Sequence, residues 1–263
     1  MDFKLRGKRA LVTGSTQGIG FAIAQGLARE GAAVVVNGRS EAKVSEAAKR
    51  IAGETKASVT GIAGDVGSAA EVNRLLAQLG PVDILINNAG IFEPKPFLGI
   101  PDSDWIRFFE VNVMSGVRLS RALLPHMLKQ NWGRIIFISS ESGLNIPAEM
   151  VHYGMTKTAQ LALSRGIAES IAGSGVTVNA VLPGPTLTEG VSAFVESLAK
   201  DRGISVKEME VEMIKSLRPS SLIKRWATPE EVANPVVYLC SEAASATTGA
   251  AVRVDGGVVR SIG

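Results

Sequence analysis

Short runs rich in Val and Ile recur along this 263-residue chain near 8–13, 33–37, 57–63, 82–87, 133–140, 176–182 and 250–255. They do not alternate apolar with polar. Strands that are apolar without interruption are buried on both faces, as happens when crossover helices cover a parallel sheet. Helical patterns fill most of the gaps, including Glu41 to Ala52, Ser68 to Leu79, Asp102 to Lys129 and Met150 to Ala172. The alternation predicts an α/β fold of the doubly wound type, with helices on both faces of the sheet. Periodicity fixes neither the number nor the order of the strands. The length suits one α/β domain or two small ones. No linker, repeat or low-complexity tract marks a boundary, so a single domain is expected.

Composition narrows the function classes. With 46% hydrophobic and 20% charged residues the chain can bury a substantial core. Its net charge of +3 comes from scattered Lys and Arg, with no basic arm or interleaved aromatic patch for nucleic acid. One cysteine, Cys240, cannot form an internal disulfide, and its apolar run reads as core filling. Two histidines and one cysteine make a zinc site improbable, so no metal is expected. His126 and His152 read as incidental. The first residues lack an apolar signal core, and no run is long enough to span a bilayer. A cytoplasmic, soluble protein without membrane contact is the expectation.

Chemistry concentrates at four places. Arg9-Ala10-Leu11-Val12 reads as a strand, followed at once by Thr13-Gly14-Ser15-Thr16-Gln17-Gly18-Ile19-Gly20 and then an apolar-periodic helix. A glycine turn between strand and helix lets backbone amides approach a pyrophosphate at the positive end of the helix dipole. Its spacing is G-x-x-x-G-x-G and not the standard dinucleotide G-x-G-x-x-G. A second strand runs into Asn87-Asn88-Ala89-Gly90, where open α/β sheets bind ligands. A third, Trp132 to Ile138, ends in Ser139-Ser140. Tyr153 and Lys157 are four positions apart on a helix and project from one face. An ammonium beside a phenol stabilises the phenolate and favours acid/base exchange.

Together these motifs resemble the short-chain dehydrogenase/reductase family. The matches are T-G-x-x-x-G-x-G at Thr13 to Gly20, N-N-A-G at Asn87 to Gly90, and S-x12-Y-x3-K at Ser140, Tyr153 and Lys157. Asn112, Asp65, Pro183-Gly184 and Val254-Asp255-Gly256-Gly257 also match, and the likeness runs from about residue 5 to 257. It implies a Rossmann-type sheet of seven strands and hydride transfer between a nicotinamide cofactor and a carbonyl or secondary alcohol. Tyr153 is then the general acid/base, Ser140 the donor to the reacting oxygen, Lys157 the group that lowers the Tyr153 pKa and holds the nicotinamide ribose, and Asn112 the anchor of a proton-relaying water. Strand alternation favours Ser140 over Ser139, since Ile136, Ile138 and Ser140 share one phase. The implied cofactor contacts are Gly14, Ser15, Gln17, Gly18, Ile19, Gly20, Asn37, Arg39, Ser40, Asp65, Val66, Asn88, Ala89, Gly90, Tyr153, Lys157, Pro183, Gly184 and Thr188.

Residues 186–227 break the strand–helix rhythm and read as a substrate lid with helices of its own. By position Phe92, Glu141, Ser142, Leu144, Asn145, Met150, Val191 and Phe194 line the substrate pocket. Glu141 is unexpected there: it either faces solvent or enters the pocket and disfavours anionic substrates. The second strand ends in Asn37-Gly38-Arg39-Ser40, with Gly38 where an NAD-preferring relative carries Asp. Arg39, with Ser40 and Asn37, suits a 2′-phosphate, so NADP(H) is expected as the preferred cofactor and NAD(H) as possible. An NAD-dependent alcohol or sugar dehydrogenase is the alternative, and a non-catalytic dinucleotide-binding regulator a more distant one. Apolar residues on more than one face of the later helices, among them Ala159, Ala162, Leu163, Ile167 and Ala168, predict a homotetramer, with a dimer as the alternative.

Overall fold

The computed structural model describes residues 3–262. Its strands are β1 (Arg9–Val12), β2 (Ala33–Gly38), β3 (Val59–Ala63), β4 (Ile84–Asn87), β5 (Gly133–Ile138), β6 (Val176–Pro183) and β7 (Ala251–Val254). They form one sheet in the order β3-β2-β1-β4-β5-β6-β7, and every pairing is parallel. The helices are α1 (Gly18–Arg29), α2 (Glu41–Thr55), α3 (Ala69–Leu79), α4 (Asp102–Phe109), α5 (Ser115–Lys129), α6 (Val151–Ser170), α7 (Glu189–Arg202), α8 (Val206–Leu217) and α9 (Pro229–Leu239). The single doubly wound domain and its seven strands are as expected.

Strand alternation sends successive side chains to opposite layers. Val12, Val34, Val36, Ile86, Ile136 and Ile138 join a core with Ile23 and Leu27 of α1, Ile51 of α2 and Val236 of α9. Their sequence neighbours Leu11, Val35, Leu85, Ile135 and Phe137 join the opposite core with Leu75 of α3, Leu119 of α5 and the partly buried Ile167 of α6. Each such aliphatic side chain contributes roughly 1.5–3 kcal/mol by leaving water. Cys240 lies in the first core, fully buried, and burial pushes its thiol up to about 12. It is filling, not a nucleophile.

Two stretches depart from the sequence pattern. The expected helix from Asp102 to Lys129 is broken by a π turn over Glu110–Met114, a local widening that periodicity does not reveal. Helix α9 is not evident in the apolar pattern, because Pro229 and Pro235 obscure it. Yet Thr228 and Glu231 form a capping box, and Pro229 occupies the first turn, where its missing N–H costs nothing. Residues 186–227 carry α7 and α8, which pack on each other through a separate cluster of Val195, Ala199 and Met209.

Candidate active site

The order of the sheet places a crevice between β1 and β4, where successive connections run to opposite sides. A cleft of about 500 Å³ opens there. Of the residues expected to hold a cofactor, Gly14, Gln17, Asn37, Arg39, Ser40, Asp65, Val66, Asn88, Ala89 and Gly90 line it. Lys43, at the start of α2, lines it as well and is absent from the residues expected on sequence. The signal was available, for Lys43 follows Arg39 by four residues across the N-terminus of a helix.

The glycine turn is built for close approach. Gly14 has φ 60°, a conformation that side chains disfavour. A Cβ on Gly20 would stand 2.4 Å from both Asn88 Nδ2 and the Gly14 carbonyl. Asn88 donates from Nδ2 to the carbonyls of Thr13 (2.9 Å) and Gly14 (3.0 Å), tying the β4 end to the turn. Ser15 is fully buried and donates to the Val12 carbonyl at 2.6 Å, so its hydroxyl holds the turn from inside. Gly18 N donates to a carboxylate oxygen of Glu189 at 2.8 Å. An anion therefore already sits on an amide at the start of α1, which fits a site for a cofactor's phosphates. Thr188 stands at the N-terminal boundary of α7 without a side-chain capping bond, and a Cβ on Gly18 would lie 3.2 Å from Thr188 Cγ2. Pro183 ends β6, and Gly184 N donates to the Val254 carbonyl at 3.0 Å.

At the other end of the cleft, Asn37 is locked by donation from Nδ2 to the carbonyls of Ile62 (3.0 Å) and Gly64 (3.1 Å). Arg39 and Lys43 are exposed, and their cationic groups have no ionic or hydrogen-bonded partner among the described residues. A Cβ on Gly38 would meet Thr16 Cγ2 at 2.7 Å, so position 38 admits no carboxylate unless Thr16 moves. Asp65 Oδ1 accepts from Gly67 N at 2.9 Å and shapes the turn after β3.

Ser140, Tyr153, Lys157 and Asn112 come together from the ends of β5, the helix α6 and the π turn. Ser139 turns away: it is buried and donates to the Lys157 carbonyl at 2.8 Å. Ser140 Oγ accepts from Ser142 N at 3.1 Å and hydrogen-bonds the Tyr153 hydroxyl. Lys157 is 5% exposed and donates to the Ile138 carbonyl at 2.9 Å and to Gln160 Oε1 at 3.2 Å. A Cβ on Gly90, which lines the cleft, would lie 3.5 Å from Lys157 Nζ and 3.4 Å from Asn112 Oδ1. The ammonium thus underlies the cleft floor. Asn112 holds the segment after β4 by accepting from Ile91 N (2.8 Å) and donating to the Ile91 carbonyl (3.0 Å) and Thr156 Oγ1 (2.9 Å).

Burial dominates the electrostatics. It pushes the Tyr153 phenol up to about 12, with Glu141 adding to the rise and Ser140 and Arg218 opposing it. It pulls Lys157 down to about 7. The Lys157 Nζ stands 5.6 Å from the Tyr153 ring centre, and the expected depression of the phenol is not seen, because desolvation raises it.

Phe92 packs edge-on to Tyr153 at 6.3 Å between ring centres, and Phe92, Leu144 and Phe194 are exposed apolar side chains. Ser142 is buried, while Asn145 is exposed and Met150 and Val191 are half-buried. Glu141 faces neither solvent nor an open pocket. It is buried and accepts from Arg218 Nε at 2.6 Å, the arginine that follows α8. Burial raises its carboxyl, and Arg218 opposes the rise. His152 is fully buried, its ring tilted against Phe108 with 4.0 Å between ring centres, and neither ring nitrogen is hydrogen-bonded among the described residues. Among the described residues no cluster of His, Cys, Asp or Glu could hold a metal, and no helix is long and apolar enough to cross a membrane.

Residues 8–199 match the family model described as short chain dehydrogenase. The uncharacterized oxidoreductase YvaG of Bacillus subtilis is 49% identical, with all of both chains covered. The 3-oxoacyl-[acyl-carrier-protein] reductase FabG of Aquifex aeolicus is 36% identical over 98% of this chain and 100% of its own. The solved structure of L-sorbose reductase from Gluconobacter frateurii, complexed with NADPH and L-sorbose, superposes with a TM-score of 0.93. It is 34% identical and covers 100% of both chains.

Proposed function

The chain belongs to the short-chain dehydrogenase family, and on that premise we propose an NADP(H)-dependent oxidoreductase that interconverts a carbonyl and a secondary alcohol. The observation that carries the reading is the Ser140–Tyr153 pair, with Lys157 one helical turn on, at the floor of the switch-point cleft. When bound, the nicotinamide supplies or takes the hydride. Tyr153 gives a proton to the carbonyl oxygen during reduction and takes it back during oxidation. Ser140 donates to the same oxygen and stabilises the charge that develops there. Lys157 places a positive charge under the phenol and binds the cofactor ribose. Asn112 fixes the loop that carries Gly90 against that ammonium.

Preference for NADP(H) is supported by Arg39 and Lys43 at the adenosine end, whose cationic groups have no partner among the described residues, by Ser40 beside them, and by Gly38, where a side chain would crowd Thr16. Residues 186–227 act as the substrate lid, a role supported by their separate core and by Arg218 reaching back to Glu141. The protein works in the cytoplasm as a homotetramer. Support for assembly comes from exposed Ile106 and Phe109 on α4 and exposed Ala162 on α6.

An NAD-dependent alcohol or sugar dehydrogenase remains the second reading; likeness to a reductase solved with NADPH and L-sorbose supports its sugar substrate and not its cofactor. Steady-state assays with NADPH and with NADH against ketones, aldehydes and ketoses separate the two. NADPH oxidation at least tenfold more efficient than NADH oxidation is expected. Equal or better rates with NADH would move the assignment to the second reading.

A further inference from the structure

Gln160 lies on α6, three residues beyond Lys157, and is 1% exposed. Nothing in the proton transfer proposed above uses it, yet an amide in so dry a place needs partners for both ends. Its Oε1 accepts from Lys157 Nζ at 3.2 Å, and its Nε2 donates to the Asn112 backbone carbonyl at 2.6 Å. The orientation is unambiguous, because an ammonium only donates and a carbonyl only accepts. Asn112 sits in the π turn, the irregular stretch that interrupts the α4–α5 run. Gln160 therefore bridges the cation and the backbone of the third structural element at the site.

We propose that Gln160 is a positioning residue for the proton chemistry: its carbonyl oxygen holds the Lys157 ammonium in place and in its charged form, while its amide group anchors that oxygen to the π turn. The proposal rests on the reading of Lys157 as the cation that serves Tyr153. Two acceptors solvate the ammonium, Gln160 Oε1 and the Ile138 carbonyl. In a buried site each acceptor favours the charged form of its donor. The titratable neighbour is Tyr153, on the same helix, and Glu141 and Arg218 act on that phenol.

The test reads Lys157 directly. Protein labelled with carbon-13 at the lysine ε-carbons is titrated by NMR, and the signal is assigned by its loss in Lys157→Met. Gln160→Met, which keeps the bulk and removes both polar ends, should lower the Lys157 midpoint by about one unit or more, the effect of one hydrogen bond to a charged group. Gln160→Glu, nearly identical in shape, should raise it by a similar amount. Opposite displacements are a signature that loss of packing alone does not produce. If Gln160→Met fails to fold, the upward shift in Gln160→Glu still decides the matter. An unchanged midpoint, shifts of the same sign, or a parent Lys157 that titrates with the other lysines would each overturn the proposal. The titration needs no substrate, so its result is independent of whether a carbonyl is turned over. With a working substrate, Gln160→Met should reduce turnover about fivefold at pH 7, recovering as the pH falls and Lys157 regains its proton.

Discussion

Burial acts on Tyr153 and Lys157 in opposite directions, because it penalises the charged form of each. With the phenol at about 12, Tyr153 carries its proton across the physiological range, ready to donate to a carbonyl oxygen. Alcohol oxidation needs the phenolate, so its rate should climb steadily above pH 8, while reduction weakens as Lys157 loses its charge near pH 7. The same depression has a stability consequence. Between about pH 7 and 10.5 the unfolded chain holds a proton on Lys157 that the folded chain does not. Stability from this group therefore rises with pH through that window. Lys157→Met should flatten the dependence of the melting temperature on pH there, and an unchanged slope would contradict a neutral buried amine.

At the adenosine end, Arg39→Ala should raise the Michaelis constant for NADPH about tenfold and leave that for NADH nearly unchanged, since a charged hydrogen bond contributes ~1.5–3 kcal/mol. Most of these residues were legible in the sequence, because the glycine turn, N-N-A-G and Y-x-x-x-K each need particular residue types at fixed spacing. Gln160 and Arg218 were not. Their roles depend on which segments meet in space, and no local pattern records that.

At the scale of elements, the buried pair of Glu141 and Arg218 joins the end of α8 to the turn that follows the catalytic strand. Their side chains are 4% and 13% exposed. Removing one partner of such a pair leaves an uncompensated buried charge, whereas replacing both is far milder. Arg218→Met should destabilise the fold by about 3–5 kcal/mol at most, less if Glu141 takes up a proton. Adding Glu141→Gln should restore most of the loss in urea unfolding. Additive losses in the double variant would show that the two side chains do not act as a pair. The inner strands were readable because both of their faces are buried and apolar. The π turn was not, for Glu110–Met114 has the same helical pattern as its flanks and differs in hydrogen bonding alone. Helix α9 is legible in principle from Thr228-Pro229-Glu230-Glu231, where the cap outweighs the prolines.

At the scale of the whole molecule, one sheet with a switch-point cleft explains why residues from Gly14 to Lys157 converge, although no segment between them is a site by itself. The strand order was not derivable from periodicity; it follows from right-handed crossovers repeated to either side of β1. The apolar side chains left open on α4 and α6 call for a partner copy, and light scattering at micromolar concentration should return four times the chain mass. A monomer would end that expectation. Proton supply by Tyr153 during hydride transfer is tested by comparing Tyr153→Phe with the parent protein at saturating NADPH and the best carbonyl found. Turnover should fall by at least ~100-fold with NADPH affinity retained, as expected for loss of a positioned acid. Turnover within a few-fold of the parent would contradict the account.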